Sequence, residues 1–149
     1  MIREAEQDDF GRLMGLYAQL HPSDALSQDG SEQLIFDEIL ANPNLYLFVL
    51  ENDDGALVAT CYLNFIPNIT RQASPYCVIE NVVTERSLQN QGLGKKIIGY
   101  ALQFAWDRGC YKVMLQTGSK RESTHNFYKS CGFRADDKVA FVARPPLRP

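Results

Sequence analysis

Histidine is nearly absent from this sequence, and its few cysteines are far apart along the chain. There are two histidines and four cysteines among 149 residues, at positions His21, His125, Cys61, Cys77, Cys110 and Cys131. No two cysteines form a CxxC, and the histidines do not have the spacing of metal ligands. These patterns argue against a zinc site, so no metal is expected. They predict instead the reduced, packed thiols of a cytosolic protein.

Long hydrophobic runs are also missing. Apolar runs such as Leu45–Leu50 are far shorter than the roughly 20 residues that cross a bilayer. The charged start, Met1–Glu6, is unlike a secretory signal. We therefore expect a cytoplasmic protein with no membrane partner. The length predicts a single domain over residues 1–149.

Basic residues are scarce in the first half of the chain. Residues 1–70 hold twelve acidic and two basic residues, a charge of −10, whereas residues 71–149 hold six acidic and thirteen basic, a charge of +7; together they give the net −3. An acidic region favours a cationic ligand and a basic region an anionic one, although both halves could also be solvated surfaces. The sequence pI of 5.3 and the lack of interleaved aromatic and basic residues argue against nucleic acid.

Hydrophobic periodicity predicts a mixed α/β domain with the order β-α-α-β-β-β-α-β-α-β. We expect the first helix to be capped by Asp8 or Asp9 and the second by Ser31. The long third helix should end at Gly109. The predicted strands cover residues 2–5, 45–51, 56–66, 76–84, 111–117 and 139–142, and the predicted helices cover residues 9–20, 31–42, 92–108 and 122–131.

The turn before the long helix carries the first chemical signal. Gly92 and Gly94 open that helix after a short polar loop, and glycine lets the backbone approach a ligand closely. The unpaired amides of a first helical turn form an anion site suited to phosphate or pyrophosphate, here beside Lys95 and Lys96. The loop matches neither the P-loop nor the GxGxxG fingerprint. An ordinary strand-to-helix turn is the alternative.

Two motifs in the second half resemble those of the GNAT acetyltransferase superfamily. Gln89–Gly94 reads QNQGLG and matches the signature Q/R-x-x-G-x-G/A. Asn126–Phe133 reads NFYKSCGF and is similar to the pattern F-Y-x-x-x-G-F. The order of elements agrees as well, so the resemblance covers nearly the whole chain. It implies a single-domain GNAT-like α/β fold, with a central mixed, mostly antiparallel sheet flanked by about four helices.

The resemblance implies an N-acetyltransferase that uses acetyl-CoA as its acetyl donor. The end of the preceding strand would pair with the pantetheine arm, and the loop would bind the pyrophosphate. Tyr128 would protonate the departing thiolate, a sensible transfer since the unperturbed pKa values are near 10 for phenol and 8.5 for thiol. Simple packing is the alternative for Tyr128. The implied cofactor-binding residues are Val82, Val83, Thr84, Gln89, Asn90, Gln91, Gly92, Leu93, Gly94 and Lys95.

Glu80 is the candidate catalytic base, because it lies on the strand that leads into the loop and could accept a proton from the acceptor ammonium, directly or through water. A strand residue paired with a basic side chain is the alternative. Family members that acetylate sugar phosphates show an I-E-D run where this chain has Ile79-Glu80-Asn81, which puts that substrate in doubt. Another departure is Arg121, where many members have asparagine. The roles of Arg121, His21 and His125 stay open.

The acidic first half suggests that the acceptor is the primary amine of a small, cationic molecule, acetylated by direct transfer in a ternary complex. The alternatives are acetylation of a protein N-terminus or lysine, and a CoA-binding sensor module without catalysis. Homodimers are frequent among proteins that resemble this chain, so a homodimer is expected.

Overall fold

Strands rich in apolar residues, in the first three quarters of the chain, form a five-stranded sheet. The structure, a computed structural model, describes residues 1–146 and falls into two units, Met1–Leu115 and Gln116–Pro149. The strands, all in the first unit, are β1 (Ile2–Glu4), β2 (Leu45–Glu51), β3 (Leu57–Ile66), β4 (Tyr76–Thr84) and β5 (Val113–Leu115). The helices are α1 (Phe10–Leu20), α2 (Ser31–Ala41), α4 (Leu93–Asp107) and, in the second unit, α5 (Glu122–Ser130); the short segment α3 (Thr70–Ala73) is a left-handed turn. Short 3-10 turns cover Gln7–Asp9 and Arg86–Leu88.

The strands lie in chain order, β1-β2-β3-β4-β5. The first three pairings are antiparallel, and only β4 and β5 run parallel. A parallel pair needs a crossover connection, and α4 supplies it. The predicted mixed, mostly antiparallel sheet is therefore confirmed, as is the predicted α/β class.

The two faces of β2 carry different helices. Leu47 and Val49 pack in the cluster that includes Leu13 of α1 and Phe36 of α2. Phe48 lies between them in sequence, and its ring contacts Tyr100 and Phe104 of α4. Neighbouring residues of a strand point to opposite faces. Within this unit, α1 and α2 therefore cover one face of the sheet and α4 covers the other.

Asp9 occupies the cap position of α1 as predicted, but its side chain makes no capping hydrogen bond, and the cap predicted at Ser31 is wrong. The Asp9 carboxylate does not cap α1; it accepts a hydrogen bond from the Glu6 amide at 2.8 Å and pairs, fully buried, with Arg3 and Arg12. Arg3 precedes the helix and lies outside the local window that capping rules use, and Arg12 meets Asp9 from within the first turn of α1. At α2 the cap position is Gly30 rather than Ser31. The amide of Ser31 donates a hydrogen bond to the Asp29 carboxylate at 3.0 Å.

Gly109 ends α4 as predicted. It has φ +74°, and its amide donates to the Trp106 carbonyl while the Cys110 amide donates to that of Ala105. These two bonds form the Schellman motif, which requires a left-handed residue after the helix. Cys61, Cys77 and Cys110 are buried thiols, and Cys131 is half-buried.

The predicted strand over residues 139–142 is wrong. The structure gives this segment no regular secondary structure, and the side chains of Val139 and Phe141 are 80% and 91% exposed. Strand propensity reflects packing on a half-buried sheet surface, and these side chains have no such surface. The strand predicted over residues 111–117 is shorter in the structure than predicted. It is β5, which covers only Val113–Leu115 and is half-buried.

Candidate active site

Strand β4 loses its outer neighbour partway along its length. It pairs with β5 only from Cys77 to Ile79, but with β3 as far as Thr84. Within the first unit, residues 80–84 therefore have a strand partner on one side only. An extended ligand with amide groups can add to such an edge by backbone hydrogen bonds. The geometry fits the pantetheine arm of acetyl-CoA, which carries two amides.

A β-bulge interrupts β4 at the same place. Glu80 pairs with Tyr62 and Val83 with Thr60, so Asn81 and Val82 lie opposite the single residue Cys61. Asn81 has φ +50°, a left-handed conformation that costs a non-glycine residue energy and tends to persist at functional sites. Bulges bend a strand and redirect its side chains. The bulge therefore interrupts the regular pairing of β4 with β3 directly after Glu80.

Glu80 lies on the face of the sheet that α1 covers. Its pairing partner, Tyr62, packs against the cluster that contains Leu13 of α1, and directly paired residues share a face. The Glu80 side chain is exposed. An exposed carboxylate on that face is available to a ligand in solution.

The turn before α4 has the geometry of an anion site. Gly92 is the helix cap residue at φ +78° and no side chain caps the helix, so the amides of Leu93, Gly94 and Lys95 have no partner within it. Asn90 also has a positive φ, of +63°. The side chains of Lys95 and Lys96 are exposed beside these amides.

Every residue from position 89 to 92 is exposed, which leaves the backbone of this loop open to a ligand. Thr84 and Gln89 are joined by a bond from the Gln89 side chain to the Thr84 carbonyl, at 3.4 Å. The predicted cofactor-binding residues Val82, Val83 and Thr84 end β4, and the others form the turn and the first residues of α4. Val83 is buried in the core, so it can meet a ligand only through its backbone. The residues present fit acetyl-CoA: an open strand edge for the arm and a helix terminus for the phosphates.

Tyr128 lies in the second unit, on α5. Its ring is half-buried and contacts those of Phe127, at 5.1 Å between centroids, and Phe133, at 6.3 Å. Gly132, at φ +97°, ends the helix as predicted: its amide donates to the Lys129 carbonyl and the Phe133 amide to that of Tyr128. The second motif thus forms a Schellman-capped helix with an aromatic cluster that orients Tyr128.

His125, Ser119 and Arg121 shape the start of α5. The His125 ring nitrogen Nε2 lies 2.7 Å from the Ser119 carbonyl oxygen; since a carbonyl only accepts, Nε2 is the protonated nitrogen. The Arg121 amide donates to the Ser119 hydroxyl at 3.3 Å, and the Arg121 side chain is exposed. These contacts order the loop and give His125 a local structural partner.

A cavity of about 530 Å³ opens at the C-terminal end of α1. Its wall comes from α1, the following loop, α2 and the bulge in β4. Of the residues that the structure describes around it, none is Lys or Arg, while Asp24 and Glu32 are acidic. The lining residues are Met14, Tyr17, Ala18, Leu20, His21, Ser23, Asp24, Ala25, Leu26, Glu32 and Asn81.

The two carboxylates of the cavity have different neighbours. Glu32 accepts hydrogen bonds from the amide and hydroxyl of Ser27, and these bonds lower the pKa of its carboxyl group. Asp24 is exposed, and its carboxylate has no hydrogen bond or ion pair among the described residues. Of the two carboxylates, Asp24 is therefore the one available to a cationic ligand.

Sequence reasoning missed Tyr17 and Asn81 as cavity residues. Tyr17 sits among the apolar positions of α1 and follows the same period as core residues, so its pattern carries no sign of a ligand. In the sequence, Asn81 stands out only as a departure from the I-E-D run. A polar residue inside an otherwise apolar strand is the one signal that could have indicated a bulge.

Among residues 1–146, no helix is both long and apolar enough to span a bilayer. Within the same range, His, Cys, Asp and Glu side chains do not gather in threes as a metal ion would require.

The fold, with an uncapped helix start beside an open, bulged strand edge, fits an acetyltransferase. The family model "Acetyltransferase (GNAT) family" matches residues 3–133. The chain belongs to this family, whose members take their acetyl group from acetyl-CoA, and it is an N-acetyltransferase.

Its relatives differ in their substrates. Glucosamine 6-phosphate N-acetyltransferase 1 of Oryza sativa subsp. japonica is 29% identical over 135 residues, 89% of this chain and 79% of the relative. Thialysine N-epsilon-acetyltransferase of Sus scrofa is 26% identical over 144 residues, 90% of this chain and 84% of the relative. A solved protein from Agrobacterium tumefaciens str. C58, assigned only as an acetyltransferase, is 40% identical with a TM-score of 0.91 and covers 97% of this chain and 99% of its own.

Proposed function

We propose that this N-acetyltransferase acetylates the primary amine of a small cationic molecule, by direct transfer from acetyl-CoA in a ternary complex. The observation that carries the proposal is the cavity at the end of α1, which has two carboxylates, one histidine and neither lysine nor arginine among its described lining residues. Carboxylates attract and orient ammonium groups. The cavity volume of about 530 Å³ lies in the ordinary range for small-molecule sites.

Acetyl-CoA supplies an acetyl group activated as a thioester. We propose that the open edge of β4 at Val82, Val83 and Thr84 binds its arm, and that the turn from Gln89 to Lys95 binds its phosphates. The strand edge and the uncapped start of α4 support these assignments.

The proposed base is Glu80 and the proposed acid is Tyr128. The amine must lose a proton before it attacks, and the exposed Glu80 carboxylate on the α1 face is suited to accept it. The leaving sulfur must gain a proton, which a phenol can donate. Position in β4 supports Glu80, whereas the resemblance of its motif supports Tyr128.

The test is an assay of the purified protein with acetyl-CoA and a panel of amines, in which acetylation is measured as release of the free thiol. We expect polyamines, aminoglycosides or basic amino acids to be acetylated in preference to neutral or acidic amines. Turnover of neutral or acidic amines alone would contradict the cationic substrate. Acetylation of peptides alone would favour a protein substrate, and binding of acetyl-CoA without any release would favour a sensor.

The variant Asp24→Asn tests whether the charge of this cavity residue contributes to recognition of a cationic amine. It should lower kcat/KM for a diamine about tenfold, the effect of losing one charge-assisted contact, and leave a monoamine of equal length unchanged. Asp53→Asn is the matched control, because Asp53 is exposed in the β2–β3 turn and lines no part of the cavity. Equal effects of the two variants would show that only the overall charge matters.

A further inference from the structure

The side chain of Gln19 joins α1 to the segment that leads into the donor turn (residues 89–95). Its amide nitrogen donates to the Glu85 carboxylate at 2.6 Å, and its amide oxygen accepts from the Arg86 backbone amide at 2.9 Å. These partners lie 66 and 67 residues further along the chain. Within the part of the chain that the structure describes, no other hydrogen bond connects α1 with residues 85–95.

The chemistry of the two partners fixes the orientation of this amide group. A backbone N–H only donates, so it must face the Gln19 oxygen, whereas a carboxylate only accepts, so it must face the Gln19 nitrogen. The hydrogen bond from Gln19 lowers the pKa of the Glu85 carboxyl group, which keeps Glu85 an acceptor at neutral pH. Gln19 and Glu85 are both half-buried. The contact is therefore a two-point link with a single allowed geometry.

The far side of the link is continuous with the donor turn. The Glu85 amide donates to the Val58 carbonyl of β3 at 2.8 Å, and the Leu88 amide donates to the Glu85 carbonyl at 2.9 Å. The 3-10 turn Arg86–Leu88 ends directly before Gln89. Because this segment is short and internally hydrogen-bonded, holding residues 85 and 86 also limits where the donor turn can lie.

The near side of the link belongs to the helix that forms the cavity wall. Ala18, Leu20 and His21 line the cavity, whereas Gln19 does not. Successive residues of an α-helix point about 100° apart, so Gln19 can reach the donor segment while its neighbours face the cavity. The end of α1 therefore contacts both the cavity and the segment before the donor turn.

We propose that Gln19 is a positioning residue that fixes the donor turn relative to the cavity, so that the thioester and the amine meet in the reactive geometry. The inference rests on the proposed function, which assigns acetyl-CoA to the turn and the amine to the cavity. A misplacement of about 1 Å between reacting groups can lower a rate about a hundredfold. The loss should appear in kcat, because each substrate keeps its own binding site.

The variant Gln19→Leu removes both hydrogen bonds with little change in side-chain volume. It should lower kcat about ten- to hundredfold. The calorimetric dissociation constant of acetyl-CoA and the KM of the amine should stay within about twofold of the wild type. Gln103→Leu is the matched control, since Gln103 donates to the Asp107 carboxylate at 2.7 Å within α4, in a bond that links no second element. Its kinetics should be those of the wild type.

An exchange of the two side chains separates positioning from a general structural role. Gln19→Glu alone brings two carboxylates together and should lose as much activity as Gln19→Leu. When Glu85→Gln is added, the carboxylate now at position 19 can accept from the Arg86 amide and from the amide group now at position 85. The exchange should restore kcat to within about threefold of the wild type, and it decides the question even if Gln19→Leu is unstable.

A kcat of Gln19→Leu within about twofold of the wild type would overturn the inference, as would failure of the exchange to recover activity. Weaker binding of acetyl-CoA in Gln19→Leu, or an equal loss in Gln103→Leu, would also overturn it, because either result indicates general loosening. Every variant is assayed with the best amine of the wild type, so turnover of neutral amines alone would contradict the cationic substrate and leave this comparison decisive. Absence of turnover with every amine would contradict the proposed function and the inference with it.

Discussion

Replacing Gly92 by alanine should weaken acetyl-CoA binding without disturbing the fold. Gly92 has φ +78°, and a Cβ built there meets no atom within 4 Å. The cost is therefore conformational alone, about 1–2 kcal/mol for a left-handed alanine. The residue is exposed, so the free loop can relieve this cost by relaxing. Binding must restore the turn, and the dissociation constant should rise about 5- to 30-fold.

Gly109 provides a matched control at the other end of the same helix. It has φ +74°, and the space that an added methyl group would occupy is equally open, so alanine has the same conformational cost. Helix α4 has 15 residues, which separates the two ends by roughly 22 Å. Gly109→Ala should lower the melting temperature by about 2–8 °C and leave acetyl-CoA affinity unchanged.

Isothermal calorimetry with acetyl-CoA, together with thermal melts, decides the question. An affinity of Gly92→Ala within twofold of the wild type would refute the assignment of the phosphate site to this turn. A similar loss of affinity in both variants would show that general destabilisation of α4 causes it.

Three further predictions concern catalysis and stability. Tyr128→Phe should lower kcat by about 10²–10⁴-fold with acetyl-CoA affinity unchanged, whereas Tyr111→Phe should have wild-type kinetics; equal rates in stopped-flow thiol release would remove Tyr128 from the mechanism. Glu80→Gln should lower kcat/KM for the amine by a similar factor at neutral pH and much less at high pH, where the amine loses its proton unaided; a parallel pH–rate profile would exclude Glu80 as the base. Asp9→Asn should lower the free energy of unfolding by about 1.5–3 kcal/mol, because it removes the buried carboxylate that Arg3 and Arg12 both contact while Arg3 keeps Glu51; a urea melt showing less than about 1 kcal/mol would contradict this. Hydrogen bonding to Arg3 lowers the pKa of Asp9, so its stabilisation should be complete above about pH 4 and lost as the pH falls through the folded-state value.

Much of the fold follows from patterns within short stretches of sequence. The bounds predicted for β2 and β4 agree with the structure, since apolar and β-branched runs between turn residues are local signals. The helix end at Gly109 also depends only on neighbouring residues. The segment 139–142 has the same strand-like composition without a sheet surface to pack on, so local composition was insufficient there.

The candidate site was likewise predictable only in the parts that depend on local sequence. The anion site before α4 could be predicted because glycines and a helix start suffice to define it. The bulge at Asn81 depends on the register between β3 and β4, which no local pattern encodes. Tyr17 follows the helical period of the core residues of α1, so only the tertiary structure places it beside the cavity.

Calorimetric titration with acetyl-CoA, together with a thiol-release assay over the amine panel, tests most directly the central claim that this protein acetylates a cationic amine with acetyl-CoA. The account predicts micromolar binding and release of free thiol that depends on a cationic amine. Absence of acetyl-CoA binding would contradict it, because the strand edge of β4 and the start of α4 would then not form the donor site.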